Sequence, residues 1–325
     1  MESLVRTSLL AVCMSISLLI SEVVSAGMTE GVTAYKNKDY ATALQELKPL
    51  ASQGKAKAQY ILGLVFVNGQ GVAQDYQEAM KWLQLAAAQG DSRAQYDLGV
   101  MYANGEGVSQ DYMEAVKWLR QAAGQGDANA QFSLGLRYLN AQGVTQDQKE
   151  AIKWFRLAAT QGHAHAHFTI GAMFVSGQGI SQDYNEAAKW FLIAAAKGDS
   201  DSQYSLGVMY ANGEGVPKDN NNAVNWFQLA AAQGNARAQN SLGRMYANGQ
   251  GVLSSRMIAY ALYNLSATVN SSPENNAIAN RDLLSKTMSS NEFHVGQDLT
   301  RELAKPGNFL KALDNYVKAP IVKEQ

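Results

Sequence analysis

Gly63, Gly99, Gly135, Gly171, Gly207 and Gly243 stand 36 residues apart, and Trp82, Trp118, Trp154, Trp190 and Trp226 keep the same interval. The pattern runs without insertion from about Gly54 to Asn270. A fixed period of this length restricts a chain to a stack of near-identical units, each burying its apolar face against the next. It points to a binding surface as the kind of function and leaves the ligand open.

One unit, Asp91 to Gly126, shows how the period is built. Ala94, Leu98, Met101 and Tyr102 make a one-sided apolar stripe that predicts a helix from about Ala94 to Asn104. Ala115, Trp118, Leu119, Ala122 and Ala123 make a second, predicting a helix from about Asp111 to Gln125. Asp111 stands where an N-cap is needed, and Glu114 follows at the capping-box position. Asp75 with Glu78, Asp147 with Glu150 and Asp183 with Glu186 repeat the arrangement. Asn104-Gly105 ends the first helix, and Gly90 and Gly126 end second helices, because glycine accepts the left-handed conformation required there. Gly99 lies inside a helix, where glycine costs roughly 0.5–1 kcal/mol relative to alanine. Six units carry it, so close approach is expected, with a neighbouring helix or the unit's own Trp filling the notch. The Trp, flanked by alanines at helical spacing, is read as core.

The unit resembles the Sel1-like repeat, a relative of the tetratricopeptide repeat. The matching residues are A-Q-Y-D-L-G-V-M-Y-A-N-G-E-G-V at Ala94–Val108 and D-Y-M-E-A-V-K-W-L-R-Q-A-A at Asp111–Ala123. The resemblance implies an all-α, right-handed α-α superhelix that serves as an adaptor for other proteins, in bacteria often exported and active in envelope biology or host contact. Cysteine-rich relatives have been linked to β-lactam binding. Here the only cysteine is Cys13.

Residues 1–26 read as a secretory signal peptide: Arg6 near the start, an apolar run from Leu9 to Ile20, then Val24-Ser25-Ala26 as a small-residue cleavage site. The run is shorter than a membrane span needs. A periplasmic or secreted location is expected, with no membrane span after cleavage. Cleavage would remove Arg6, Glu2 and Glu22 and leave 26 basic against 26 acidic side chains. Nucleic-acid binding would want a basic excess, and none is visible. The mature chain would hold no cysteine, which removes thiol catalysis and cysteine-ligated zinc.

The divisions expected along the chain are a capping helical hairpin at 27–53, six repeats at 54–269, capping helices at 270–305 and a tail at 306–325 with helical character. In the first hairpin Asp39-Tyr40 aligns with Asp75-Tyr76, Glu46 replaces the Trp, and the helix from Thr29 to Tyr35 is read as lacking the notch glycine. From Ser254 the capping Asp is lost while Ala259, Leu262, Tyr263 and Ala267 keep phase. Helices are expected at Glu274–Lys286 and Ser290–Leu303, with Leu283, Leu284, Phe293 and Leu299 inward. Ala141 stands where other loops have glycine.

Catalytic patterns are missing: no G-x-S-x-G, no phosphate loop, no H-E-x-x-H. G-x-G links two helices here, whereas the dinucleotide version needs a preceding strand. No cofactor or metal is indicated. His163 and His167, four apart, would share a helix face, but no carboxylate or cysteine lies nearby in sequence. With His165 they are read as polar residues at a solvated helix start. A non-enzymatic scaffold is the reading; an envelope enzyme or a β-lactam or cell-wall-binding protein is the alternative.

Positions that vary between units are free to serve a ligand. On the first helix one row is Lys57, Arg93, Asn129, His165, Asp201 and Arg237. A turn later come Ile61, Asp97, Ser133, Thr169, Ser205 and Ser241, and then Leu64, Val100, Leu136, Ala172, Val208 and Arg244. First helices line the concave side in the architecture that the resemblance implies. The rows would there make a groove for an extended peptide or a partner helix, with Asn68, Asn104, Asn140, Asn212 and Asn248 at its end.

Overall fold

The computed structural model describes residues 24–270 and 275–318, which hold 17 helices and no strand. Helix α1 (24–36) and α2 (Tyr40–Ser52) form the opening hairpin. Six pairs follow: α3 (Ala56–Asn68) with α4 (Tyr76–Ala88), α5 (Ser92–Asn104) with α6 (Tyr112–Gly124), and α7 (Ala128–Leu139) with α8 (Gln148–Thr160). Then come α9 (Ala164–Ser176) with α10 (Tyr184–Ala196), α11 (Ser200–Asn212) with α12 (Asn220–Ala232), and α13 (Ala236–Asn248) with α14 (Arg256–Val269). Last are α15 (Ala277–Ser285), α16 (Ser290–Ala304) and α17 (Phe309–Lys318). The chain divides into two compact units, one ending at Gln161 and one beginning at Gly162. Within each, a first helix packs on the second helix of its own pair and on that of the preceding pair. No helix among the described residues is long and apolar enough to cross a membrane. Most of the expected signal peptide, residues 1–23, lies outside the described residues; Val24, Ser25 and Ala26 are helical and belong to α1.

The periodic glycine is a notch, and the side chain that fills it is the residue after the Trp in five pairs and Tyr263, after Leu262, in the sixth. A Cβ on Gly63 or Gly99 would sit 2.6–2.7 Å from the Cγ of Leu83 or Leu119. On Gly135, Gly171 and Gly207 it would meet the rings of Phe155, Phe191 and Phe227 at 2.5–2.7 Å, and on Gly243 that of Tyr263. These six fillers are buried. The Trp rings, expected in the core, are only half-buried. Successive residues on a helix lie about 100° apart, so the Leu or Phe takes the centre of the apolar arc and the Trp its rim. The opening hairpin uses the same device, against expectation: Gly31 faces Leu47 at 2.6 Å. Its connection is shorter, Lys36-Asn37-Lys38, which moves this glycine out of the 36-residue phase. In the loops the second glycine of G-x-G presses on the preceding pair, as Gly107 does on Tyr76 and Gly143 on the Tyr112 carbonyl.

A buried hydrogen-bond ladder joins one pair to the next. Gln59, Gln95, Gln131, Gln203 and Gln239 donate from Nε2 to the carbonyls of Ala51, Ala87, Ala123, Ala195 and Ala231 at 3.0–3.2 Å. The Oε1 of the first four accepts from Gln89, Gln125, Gln161 and Gln233 at 2.7–2.8 Å. Each of these four amides is satisfied on both sides, by a carbonyl of the preceding pair and by a glutamine of its own pair, and buried polar groups are retained on that condition. Val269 stands where the next glutamine would be, and Gln239 Oε1 has no partner. In the fourth pair His167 and Lys197 replace the two glutamines; Lys197 donates to the Gly162 carbonyl at 3.0 Å.

Asp75, Asp111, Asp147, Asp183 and Asp219 cap α4, α6, α8, α10 and α12, and Ser255 caps α14. The glutamates after the first four do not close capping boxes. Glu78, Glu114, Glu150 and Glu186 pair instead with Lys81, Lys117, Lys153 and Lys189 at 2.5–2.9 Å. The full capping box occurs at Ser289 and Glu292. At the C-terminal end Leu299 is buried and Leu284 packs on the core, as expected, but Leu283 is 69% exposed. Leu303, Phe309 and Leu313 supply that apolar surface, so α17 packs on the second unit, with the Tyr316 hydroxyl 2.9 Å from Met257 Sδ. Ala141 is in the left-handed region at φ 56°.

Gly99→Leu is expected to prevent docking of α5 on α6. The smaller change Gly99→Ala should cost about 1–3 kcal/mol through overpacking, and adding Leu119→Ala should recover part of it. Urea melts of both single variants and the double check this; strictly additive losses would refute the notch. Ala141→Gly should raise stability by about 1 kcal/mol by removing a left-handed alanine, read as a higher urea midpoint.

Candidate protein-interaction surface

In the first unit the three sequence rows lie on α3, α5 and α7. Arg93 is brought across to the preceding pair, its Cζ 4.3 Å from the centre of the Tyr60 ring and its Nη2 2.6 Å from Asp91 Oδ2. Its side chain remains half exposed. Asp97 sits beside the same tyrosine and is not a free surface acid. Its Oδ2 is buried without a hydrogen-bond partner. Burial pushes the Asp97 carboxyl up to about 6, with Asp127 and Asp91 adding to the effect and Tyr60 and Arg93 opposing it. Asn129 is exposed, while Val100, Ser133 and Leu136 are half-buried. The Ser133 hydroxyl pairs with the Tyr96 hydroxyl of the pair before. Arg93 and Asp97 thus meet at Tyr60, and Ser133 joins Tyr96.

In the second unit α9, α11 and α13 carry the rows. Arg237 repeats the Arg93 arrangement 144 residues on: its Cζ is 4.8 Å from the Tyr204 ring centre, and its Nη2 is 2.8 Å from Asp201 Oδ1. His165 is exposed, with Nδ1 4.0 Å from Asp199. The Thr169 hydroxyl donates to the His165 carbonyl and that of Ser205 to the Asp201 carbonyl. Both hydroxyls therefore serve their own helices. Arg244 is exposed. Asn104 and Asn212, at the end of the face, donate to Glu106 and Glu214.

The histidines part company. His163 Nδ1 accepts from the Ala166 amide as the cap of α9. His167 is buried, contrary to the solvated placement expected, with Nδ1 2.9 Å from the His163 carbonyl and its ring 5.8 Å from that of Trp190. Among the described residues no group of three His, Cys, Asp or Glu side chains is placed to hold a metal ion.

The sequence reading missed one row. Tyr60, Tyr96, Phe132, Phe168 and Tyr204 also recur every 36 residues, on the face bounded by the rows of Lys57 and Leu64. All are half-buried. The rings of Phe132, Phe168 and Tyr204 lie 5.4–5.9 Å from those of Phe155, Phe191 and Phe227. The same residue types recur at an interval already known, so the signal was present, but the row repeats too well to show in a comparison of variable positions. On each unit the first-helix face is therefore aromatic at its centre, with polar and charged side chains on either side and no dominant sign. Open hollows near Thr29 and Thr33, near Tyr184 and Gly215, and near Leu299 and Tyr316 lie off this face.

Six consecutive segments, 56–91, 92–127, 128–163, 164–199, 200–235 and 236–271, match the family model of the Sel1 repeat. A crystallised Sel1 repeat protein from Oxalobacter formigenes is 32% identical, over 74% of this chain and 96% of its own, with a TM-score of 0.67. A protective antigen present in uropathogenic Escherichia coli strains, displaying an SLR fold, is 24% identical over 93% of this chain and 95% of its own, with a TM-score of 0.47. No curated protein matches the chain.

The Asp97 carboxyl gives a pH test of the packing beneath this face. Its folded value lies above the unfolded one, so the folded state holds the proton more tightly. The stability this gives is complete below about pH 4 and is lost as pH rises through about 6. Asp97→Asn should therefore stabilise by about 2 kcal/mol at pH 8 and change little at pH 4. Urea denaturation of both proteins at both pH values measures it; equal differences at the two would refute the burial argument.

Proposed function

The chain belongs to the Sel1 repeat family, whose members are typically protein-interaction scaffolds, and from that premise we propose that it is an exported, non-enzymatic scaffold binding another protein through the first-helix face. The observation that carries this reading is the contrast between the two kinds of position. The glycine of every pair, and the glutamine and aspartate of five of the six, are consumed by packing, the ladder and the caps. What remains solvent-facing on the first helices of each unit is a row of half-buried aromatic rings, with Arg93 laid over Tyr60 in the first unit and Arg237 over Tyr204 in the second. Tyrosine and arginine, held in place before binding, are the residue types that dominate interface energies. Such a strip suits an extended peptide or the apolar face of a helix. Export to the periplasm or beyond is supported by the composition and order of residues 1–26, and a role in the envelope or in host contact would follow from that location.

The test is capture of a partner from a crosslinked envelope and periplasmic fraction. Arg93→Glu with Arg237→Glu should abolish capture by the face while leaving the helical circular dichroism unchanged. Asp97 is left unchanged because its Oδ2 is buried. Undiminished capture by the double variant would count against this face.

A further inference from the structure

The sixth pair breaks the pattern of the face on the second unit. Asn240 stands at the aromatic position of α13, where α9 and α11 have Phe168 and Tyr204. A turn further on, in the row of Ala172 and Val208, stands Arg244. Asn240 is taken up by the chain itself: its Nδ2 donates to the Asn275 carbonyl, and its Oδ1 accepts from Asn280 Nδ2 at 3.0 Å. The aromatic row of this unit therefore stops at Tyr204, and the solvent-facing groups beyond it are Arg237 and Arg244. Residues seven apart share a helix face, here two turns and about 10 Å along α13. That helix holds no acid.

The acids of the adjoining elements are already engaged. Asp199 caps α11, Asp201 pairs with Arg237, and Asp282 pairs with Arg281 on the helix that reaches this face through Asn280. Arg237 is still 56% exposed. Arg244 is exposed, and no ion pair or hydrogen bond engages it among the described residues. One positive charge is left over, in a row that α9 and α11 keep apolar. Exposed arginines beside an apolar strip favour a partner of opposite charge, since complementary potential sets register and suppresses wrong partners, and a guanidinium takes a carboxylate through two N–H donors.

We propose that the α13 end of this face binds acidic side chains, so that the partner segment is apolar over Phe168 and Tyr204 and carries Asp or Glu where it crosses Arg237 and Arg244. The proposal rests on the scaffold reading for the existence of a bound segment and goes beyond it in fixing that segment's charge and direction.

The probe is a random peptide library displayed on phage and selected on the immobilised full chain, in parallel with Arg244→Gln. Arg244 makes no contact that its loss would leave unpaired, and unchanged circular dichroism checks the fold of the variant. Peptides selected on the full chain should combine apolar residues with Asp or Glu on one side of them. Those selected on Arg244→Gln should keep the apolar residues and lose the acidic enrichment. A synthetic copy of the most enriched peptide should bind Arg244→Gln about tenfold more weakly in fluorescence anisotropy, with Arg244→Lys recovering part of the loss, and a nitroxide at its acidic end should broaden the NMR signals of α13. Apolar peptides without acids, acidic enrichment that survives in Arg244→Gln, or broadening away from α13 would overturn the proposal and leave the scaffold reading standing. No enriched peptide at all would count against both. Binding of phosphatidylglycerol vesicles that is lost in Arg244→Gln, with no acids among the selected peptides, would assign the arginines to a lipid surface and overturn the acidic segment.

Discussion

A glycine without a side chain, pressed onto a Leu or Phe on the partner helix, is the contact on which the rest of this structure depends. It fixes how closely the two helices of a pair approach, because a Cβ there would lie 2.5–2.7 Å from the filler. With that separation set, the glutamine in the first turn of the helix reaches both the preceding pair and its own second helix. The ladder then ties each pair to the one before it within each unit. The intrinsic cost of glycine in a helix, roughly 0.5–1 kcal/mol per notch, is small beside the burial of a Leu or Phe side chain, about 1.5–3 kcal/mol.

Much of this was legible in the sequence because a repeat displays the same local rule six times. Helix boundaries, caps and the fact of close approach all came from periodicity and turn chemistry. The filler of the notch did not. Trp118 and Leu119 are neighbours in sequence and both lie in the apolar arc, and periodicity alone does not rank two adjacent residues by depth. Gly31 escaped because a shorter connection shifts it out of phase, although it faces Leu47 as its counterparts face theirs. Leu283 was placed inward on apolar character; in the structure Leu303, Phe309 and Leu313 occupy the surface it would have covered.

The candidate face was read less completely, for a different reason. Burial there is made by residues 36 apart in sequence, so Asp97 looked exposed on its own helix and is covered by the environment around Tyr60. Seeking only variable positions also hid the aromatic strip, whose rings both seal the core and face outward. A residue with two duties repeats as faithfully as a purely structural one, and variability is then a poor guide to function.

The departures from the repeat carry a further meaning, and the third pair shows it. Arg137, in the apolar row, ends α7, and Ala141, in the left-handed region, lies in the loop that follows. The backbone link that ends the other first helices is kept, with the Gln142 amide donating to the Arg137 carbonyl at 3.0 Å. The Arg137 side chain adds a second link to Gln142, and Gly143 presses the same loop onto Tyr112. A loop held from three sides can retain an alanine conformation that would be strained on its own. Local consistency is broken here twice within five residues, once by charge and once by backbone. Here a guanidinium in an apolar row and a left-handed alanine are tolerated together because the same contacts around Gln142 and Gly143 hold both.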